Sequence, residues 1–311
     1  MRHIYPSAYR DFSCIASACR HTCCVGWELP VDARTARRYR KMRGALGDTI
    51  RTSLCDSYDA FLPTQEGRCP HLDANNLCRL ITDGSQRLLC TVCREHPRYH
   101  NRYGIATEHG LGLCCEEACR LLLTAPLSFA FGDGTPVVPD AFSHGRSALY
   151  LRDKYRLLDA IVAFEGTAEE CIAHLGAHLG ACAAASDMIS SLKMLGALEY
   201  LEQGSARIFS HITTFSAIFD KNSLQYRNFL ALTLYRTATR ETDLSVAFTL
   251  SVFLLRLLDA LVKNAPKNDL DTLLDLARLI SAELEYSEDN TQTLLSHFEE
   301  KALLRSYQEQ Q

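Results

Sequence analysis

Twelve of the 14 cysteines in this chain lie at or before Cys119, and that clustering limits what it can fold into more than any other feature. Thiols in such density must be oxidised, buried or bound to metal. The opening run, Met1-Arg-His-Ile-Tyr-Pro-Ser-Ala-Tyr-Arg-Asp, lacks the apolar core of a secretory signal, so the expectation is a cytoplasmic protein. In a reducing compartment, clustered thiols hold metal rather than form disulfides. Size points the same way, because 311 residues with 47% hydrophobic content bury a full core without covalent staples. The charges divide as the cysteines do: residues 1–120 carry a net charge of +4 and the remainder −8, a basic thiol-rich part followed by an acidic one.

Periodicity sets the organisation. From about His144 onward the pattern is helical, with Leu151, Tyr155, Leu158 and Val162 on one face. The stretch Ser245 to Val262 is apolar nearly all round, but Arg256 and Asp259 interrupt it. It therefore reads as the central helix of a bundle and not as a membrane span, which needs about 18 unbroken apolar residues. Asn268 is the expected N-cap of a helix from Asp269 to Glu285 whose inward residues are Leu270, Leu273, Leu274, Ala277 and Ile280, and a last helix is expected over Thr291 to Ser306. The first 140 residues have short apolar runs and frequent Pro and Gly, which suggests loops and short helices held by metal. One basic helix stands out there, capped by Asp32 and carrying Arg34, Arg37, Arg38, Arg40, Lys41 and Arg43; a solvated face and a binding surface are both open readings. The expected class is mainly α: a Cys-rich, loop-rich, metal-organised domain at 1–125, a linker at 126–143 and an α-helical domain at 144–311.

The cysteines fall into sequence groups: Cys14, Cys19, Cys23 and Cys24; Cys69 and Cys78; Cys90 and Cys93; Cys114, Cys115 and Cys119. Thiolates are soft ligands suited to zinc or to iron–sulfur clusters. Cys90-x2-Cys93 is a common half of a zinc site, whereas the irregular spacing of the other pairs suits one larger site. Buried thiols acting as small hydrophobes account for Cys171 and Cys182. The Cys-x3-Cys-x2-Cys loop of radical enzymes is missing, since Gly26 follows Cys19 and Cys23, and Leu122 follows Cys115 and Cys119, where its last cysteine belongs.

Several stretches resemble the flagellin lysine-N-methylase family of bacteria: Cys14-x4-Cys19-x3-Cys23-Cys24-Val-Gly-Trp27, Arg68-Cys-Pro-His-Leu-Asp73 with Leu77-Cys78, Leu89-Cys90-x2-Cys93-Arg-Glu-His-Pro97-Arg98, and Leu113-Cys-Cys-Glu-Glu-Ala118. The Cys-Cys pair with its downstream Cys-Pro-x-Leu is also similar to a wider group of zinc- or iron-chelating proteins. The resemblance covers residues 5 to about 123. It implies methyl transfer from S-adenosylmethionine to lysine side chains of flagellin, and a 4Fe-4S cluster whose ligands come from Cys19, Cys23, Cys24, Cys69, Cys78, Cys90, Cys93 and Cys115. One cluster takes four thiolates, so some of the eight are structural. The family's Cys-Pro-Glu reads Cys115-Glu116-Glu117 here. The alternative is a non-catalytic zinc- or iron-chelating protein whose helical domain binds a partner.

Amine methylation needs a neutral lysine nitrogen, a methyl group held in line and exclusion of water. Glu95, Glu108, Glu116 and Tyr99 are the candidate proton acceptors, and the sequence does not rank them. No Gly-rich strand–turn–helix fingerprint is present, because Gly110-Leu-Gly112 and Gly132-Asp-Gly134 read as turns, so a cofactor site would lie outside a Rossmann domain. His71, His96, His100 and His109 lie among the cysteines as further possible ligands. Trp27 reads as a lid over the metal or as an ordinary core aromatic. Nucleic acid is not an expected partner: the chain is acidic overall, and Tyr39 is the one aromatic within the basic helix.

Overall fold

The computed structural model describes residues 1–308 apart from 27, 56, 182, 183, 203 and 219–222. The readings of Trp27 and Cys182 lie outside the described residues. The chain is mainly α, and it divides into two compact units that are not contiguous in sequence: Met1–Phe12, His100–Cys114 and Ala118–Gln311 form one, and Ser13–Tyr99 with Cys115–Glu117 the other. Both chain ends and part of the Cys-rich stretch thus share the larger unit.

At the centre of the larger unit is the helix Leu244–Asn264, in which every residue from Val246 to Val262 is buried. It is long and apolar enough to cross a membrane, yet its faces are covered by the helices Ala168–Leu179, Ser223–Thr237, Leu270–Ile280 and Glu288–Gln308. Its two buried charges are matched where they stand. Arg256 makes two 2.9 Å bonds to Glu169, and Asp259 accepts from Lys263 at 2.6 Å and from Tyr226 at 3.2 Å. The helix Arg146–Val162 buries Leu151, Tyr155 and Leu158 as its periodicity requires, while Val162 at its end is half-buried.

The penultimate helix differs from expectation at both ends. Its cap is Asp269, one residue after Asn268, accepting from Thr272 N at 2.9 Å. That shift leaves Leu270 43% exposed, and the α-helix stops at Ile280 before a π-turn over Ser281–Glu285. The last helix, Glu288–Gln308, runs slightly longer than expected at both ends.

A four-stranded sheet, absent from the sequence reading, completes this unit. Strands β1 (Arg2–Pro6), β4 (Arg98–Arg102), β5 (Ala106–Leu111) and β6 (Phe129–Phe131) lie in the order β4-β5-β1-β6. β1 runs parallel to β5, pairing Arg2 with Ala106, and antiparallel to β6, pairing Ile4 with Phe131. β6 falls in the stretch expected to be linker, and Gly134, at φ +88°, makes the turn that follows it. Such pairing joins segments about a hundred residues apart, which local periodicity does not reveal.

Between sheet and helices of this unit lies a fully buried ion pair. Lys154 Nζ donates to Glu108 Oε2 at 2.7 Å and to the carbonyls of Tyr235 and Ala238 at 2.9 and 2.8 Å, and lies 3.0 Å from the Tyr103 hydroxyl. Tyr155 donates to the other Glu108 oxygen at 3.0 Å. Burial lowers the Lys154 pKa, and the adjacent Glu108 carboxylate opposes that shift.

The smaller unit has an apolar core of its own, where the sequence suggested metal in place of one. Leu29, Val31, Ala36, Tyr39, Ile50, Leu54, Phe61 and Leu80 pack around Cys90. The strands β2 (Leu29–Pro30) and β3 (Ala60–Phe61) form a short antiparallel ribbon at this core. The helix Ala33–Lys41 contributes its Thr35, Ala36 and Tyr39 side. Asp32 caps it as expected, accepting from Thr35 N at 3.0 Å, and the same carboxylate accepts from Thr91 N and Oγ1 at 3.0 and 2.9 Å. One acidic side chain therefore caps the starts of two helices, the second being Thr91–Glu95.

Candidate functional site

Backbone pairing assembles the thiols of the smaller unit. Val25 bridges Arg68, and Cys69 N donates to Cys24 O at 2.8 Å, which sets Cys24 beside Cys69. Leu72 bridges Cys78, and Arg79 N donates to His71 O at 2.8 Å, folding the Pro-His-Leu-Asp loop back so that Cys78 returns toward Cys69. Cys90 stands at the N-cap of the short helix and Cys93 one turn on, with their sulfurs 3.5 Å apart.

All eight cysteines named from the resemblance lie in this one unit. They divide further by mutual electrostatic influence. Cys24, Cys69, Cys78, Cys90 and Cys93 act on one another's ionisation, whereas Cys19 and Cys23 feel Cys115, and Cys23 also feels Cys14. Cys14, which is not among those eight, thus belongs with Cys19, Cys23 and Cys115. The adjacent Cys23 and Cys24 link the two sets through a hydrogen bond between their side chains.

The two close thiol pairs are electrostatically uneven. The hydrogen bond between Cys90 and Cys93 favours the thiolate of Cys90, and that between Cys23 and Cys24 favours the thiolate of Cys24, while Cys93 and Cys23 are shifted upward. Burial pushes Cys69 up to about 12 and Cys19 up to about 11. A cation in their midst would reverse those shifts, because coordination displaces the proton.

The donor set suits a soft metal in chemistry and in one distance. Two sulfurs bound at about 2.3 Å to one tetrahedral ion lie about 3.8 Å apart, close to the 3.5 Å between Cys90 and Cys93. His71 adds an orphaned polar atom: its Nε2 lies 2.9 Å from Ser53 Oγ, while its buried Nδ1 has no partner among the described residues. Burial holds its pKa down to about 4, so the ring is a neutral donor at pH 7. Among the described residues, no three His, Cys, Asp or Glu groups surround a single ion-sized point.

The remaining candidates have other placements. Glu116 accepts from the backbone N–H groups of Arg20 and His21 at 2.9 and 3.1 Å and from Arg20 Nε at 3.2 Å, which fixes the Cys19 loop. Glu108 is not available as a proton acceptor, since both its oxygens are engaged by Lys154, Tyr103 and Tyr155 with no exposure. Glu95 is half-buried beside Arg94, and Tyr99 is half-buried. His100 and His109 belong to the larger unit, where His109 Nε2 lies 2.8 Å from His3 Nδ1 and its ring stacks on Tyr5. Cys119 also belongs there, with its sulfur 3.5 Å from the Leu274 carbonyl. Cys171 is buried in its helix, the small-hydrophobe role expected of it.

Fold and donor set together define a class: a mainly α-helical protein carrying a compact thiol-rich unit. The chain belongs to the family of the flagellar biosynthetic protein FliU and the lysine-N-methylases. It is 32% identical to FliU of Salmonella muenchen over 139 residues, which is 41% of this chain and 80% of that protein. It is 31% identical over 141 residues to the lysine-N-methylase of Salmonella typhimurium and 30% identical over the same length to that of Salmonella choleraesuis. Each of those matches spans 42% of this chain and 34% of the relative. No family model and no solved structure matches.

Proposed function

We propose that this protein is a cytoplasmic methyltransferase that moves methyl groups from S-adenosylmethionine to lysine side chains of flagellin, with a metal-bearing thiol unit as part of its working form. The observation that carries the reading is the gathering of all eight family-type cysteines into one compact unit, in a chain whose relatives are named lysine-N-methylases and a flagellar biosynthetic protein. Within that unit Cys24, Cys69, Cys78, Cys90 and Cys93 form the larger set of neighbours, from which four ligands of a 4Fe-4S cluster can be drawn. Such a cluster, held by four of these thiolates, would supply redox capacity. The chain itself fixes the Cys90 turn through Asp32 and the Cys19 loop through Glu116.

The 3.5 Å sulfur pair favours a second reading, in which Cys90 and Cys93 share one ion and the protein chelates zinc or iron without catalysis. Incubation of anaerobically purified protein with labelled S-adenosylmethionine and flagellin separates the two. The methylase reading requires label on lysine, located by peptide mass spectrometry. Zinc content with no transfer would select the chelating reading.

A further inference from the structure

The helix Ala33–Lys41 carries a charge pattern that its own fold does not use. Its inner side is committed to the core through Thr35, Ala36 and Tyr39, so Arg34, Arg37, Arg38, Arg40 and Lys41, with Arg43 just beyond, face solvent. Two of these have partners: Arg40 pairs with Asp59 at 2.6 Å, and Arg38 donates to the carbonyls of Arg87 and Leu88. Arg34, Arg37, Lys41 and Arg43 make no ion pair among the described residues, and the helix holds no acidic residue.

Helix electrostatics accounts for only part of this. Cations in the last turn suit the negative end of the macrodipole, which covers Arg38, Arg40 and Lys41. Arg34 lies in the first turn, where a positive charge opposes the dipole, and Arg34, Arg37, Arg38 and Lys41 repel one another at spacings of three and four. Asp32 anchors the helix rigidly at its start, and the Tyr39 hydroxyl binds the Leu88 carbonyl. Arg37, Arg38, Lys41 and Met42 line a shallow groove, so side-chain stems and a thioether make an apolar floor beneath a cationic rim.

We propose that this face docks an acidic polypeptide segment, its carboxylates spread over Arg34, Arg37 and Lys41 and an apolar side chain resting on Met42. The apolar floor fits a peptide better than a phosphate backbone. The one aromatic of the helix, Tyr39, is fully buried and offers nothing for a base to stack on. A membrane surface would require apolar side chains outside, and those of this helix are turned inward. The inference stands independently of the methylase reading.

The test uses the full chain and a fluorescent peptide of repeating glutamate and leucine, with polyuridylate and phosphatidylserine vesicles as competing probes. Binding is read by anisotropy at low and at physiological salt. We expect the peptide to bind most tightly, and the triple variant Arg34→Glu, Arg37→Glu, Lys41→Glu to lose at least ~10-fold in affinity with a weaker salt dependence. Its melting temperature should change little, since Arg34→Glu gains in the first turn about what Lys41→Glu loses in the last. Reversing Lys193, Arg207 and Lys267 instead, with the same change in net charge, should leave affinity within about twofold of wild type. Equal peptide binding by both triple variants, preference for either competing probe, or no peptide binding at low salt would each overturn the proposal.

Discussion

Replacing Asp32 tests how the smaller unit is built around its thiols. The carboxylate makes three hydrogen bonds: one to Thr35 N, capping the helix Ala33–Lys41, and two to Thr91, capping the helix that begins after Cys90. Loss of an N-cap costs about 1 kcal/mol, and the charged contacts to Thr91 add about 1–2 kcal/mol at a half-buried site. Asp32→Ala should therefore destabilise the unit by about 2–3 kcal/mol. Asp32→Asn keeps one acceptor oxygen and should lose roughly half as much. Urea denaturation with tryptophan-independent far-UV dichroism measures both. The pH dependence gives a second readout. Burial alone would raise the Asp32 pKa, but the bonds from Thr91 and Thr35 outweigh it and hold the carboxyl well below the usual range. A depressed folded value contributes stability above the unfolded pKa of about 3.9, and that contribution is lost as pH falls below it. The acid limb of the stability curve should therefore be shallower in Asp32→Asn. A loss under about 0.5 kcal/mol for Asp32→Ala, with an unchanged acid limb, would refute the two-helix cap.

Three further outcomes follow from the larger unit and the thiol loop. Lys154→Met should cost about 3–5 kcal/mol by stranding Glu108, and adding Glu108→Leu should recover most of it, as thermal denaturation of the single and double variants would show. Burial, with His100 and His3 nearby, lowers His109 to about 4. The unfolded chain takes up its proton first, so stability should fall as pH drops from about 6.5 toward 4, less steeply in His109→Gln, as melting curves across that range would show. Glu116→Gln weakens the acceptor of two backbone N–H groups at the Cys19 loop; it should speed thiol alkylation at Cys19, and unchanged labelling would remove its positioning role.

The helical part of the fold was legible because its signals are local. Asp32 as a cap, the inward face of Arg146–Val162 and the buried Leu244–Asn264 helix all follow from spacing within one element. The sheet was not legible, because β1 pairs with strands that begin about a hundred residues later and its five residues carry no alternation strong enough to announce it. The core of the smaller unit was hidden for a similar reason: Leu29, Phe61 and Leu80 are isolated in sequence and meet only in space. Among the thiols, residue type identified the candidates, but sequence distance was a poor guide to grouping. Cys14 and Cys115 both act on Cys23 although they lie far apart in the chain, while Cys114 and Cys115, adjacent in sequence, fall in different units. Glu108 looked like a base because an isolated Glu carries no sign of its buried lysine partner 46 residues on.

The central claim is that the thiol unit binds metal and that methyl transfer depends on it. The most direct measurement is iron, sulfide and zinc content together with lysine methylation of flagellin, on the same anaerobic samples of wild type, Cys69→Ser and Cys171→Ser. The account predicts that Cys69→Ser loses metal and transfer together, while Cys171→Ser, altered in the other unit, keeps both. Full transfer by metal-free protein, or equal metal content in all three samples, would contradict it.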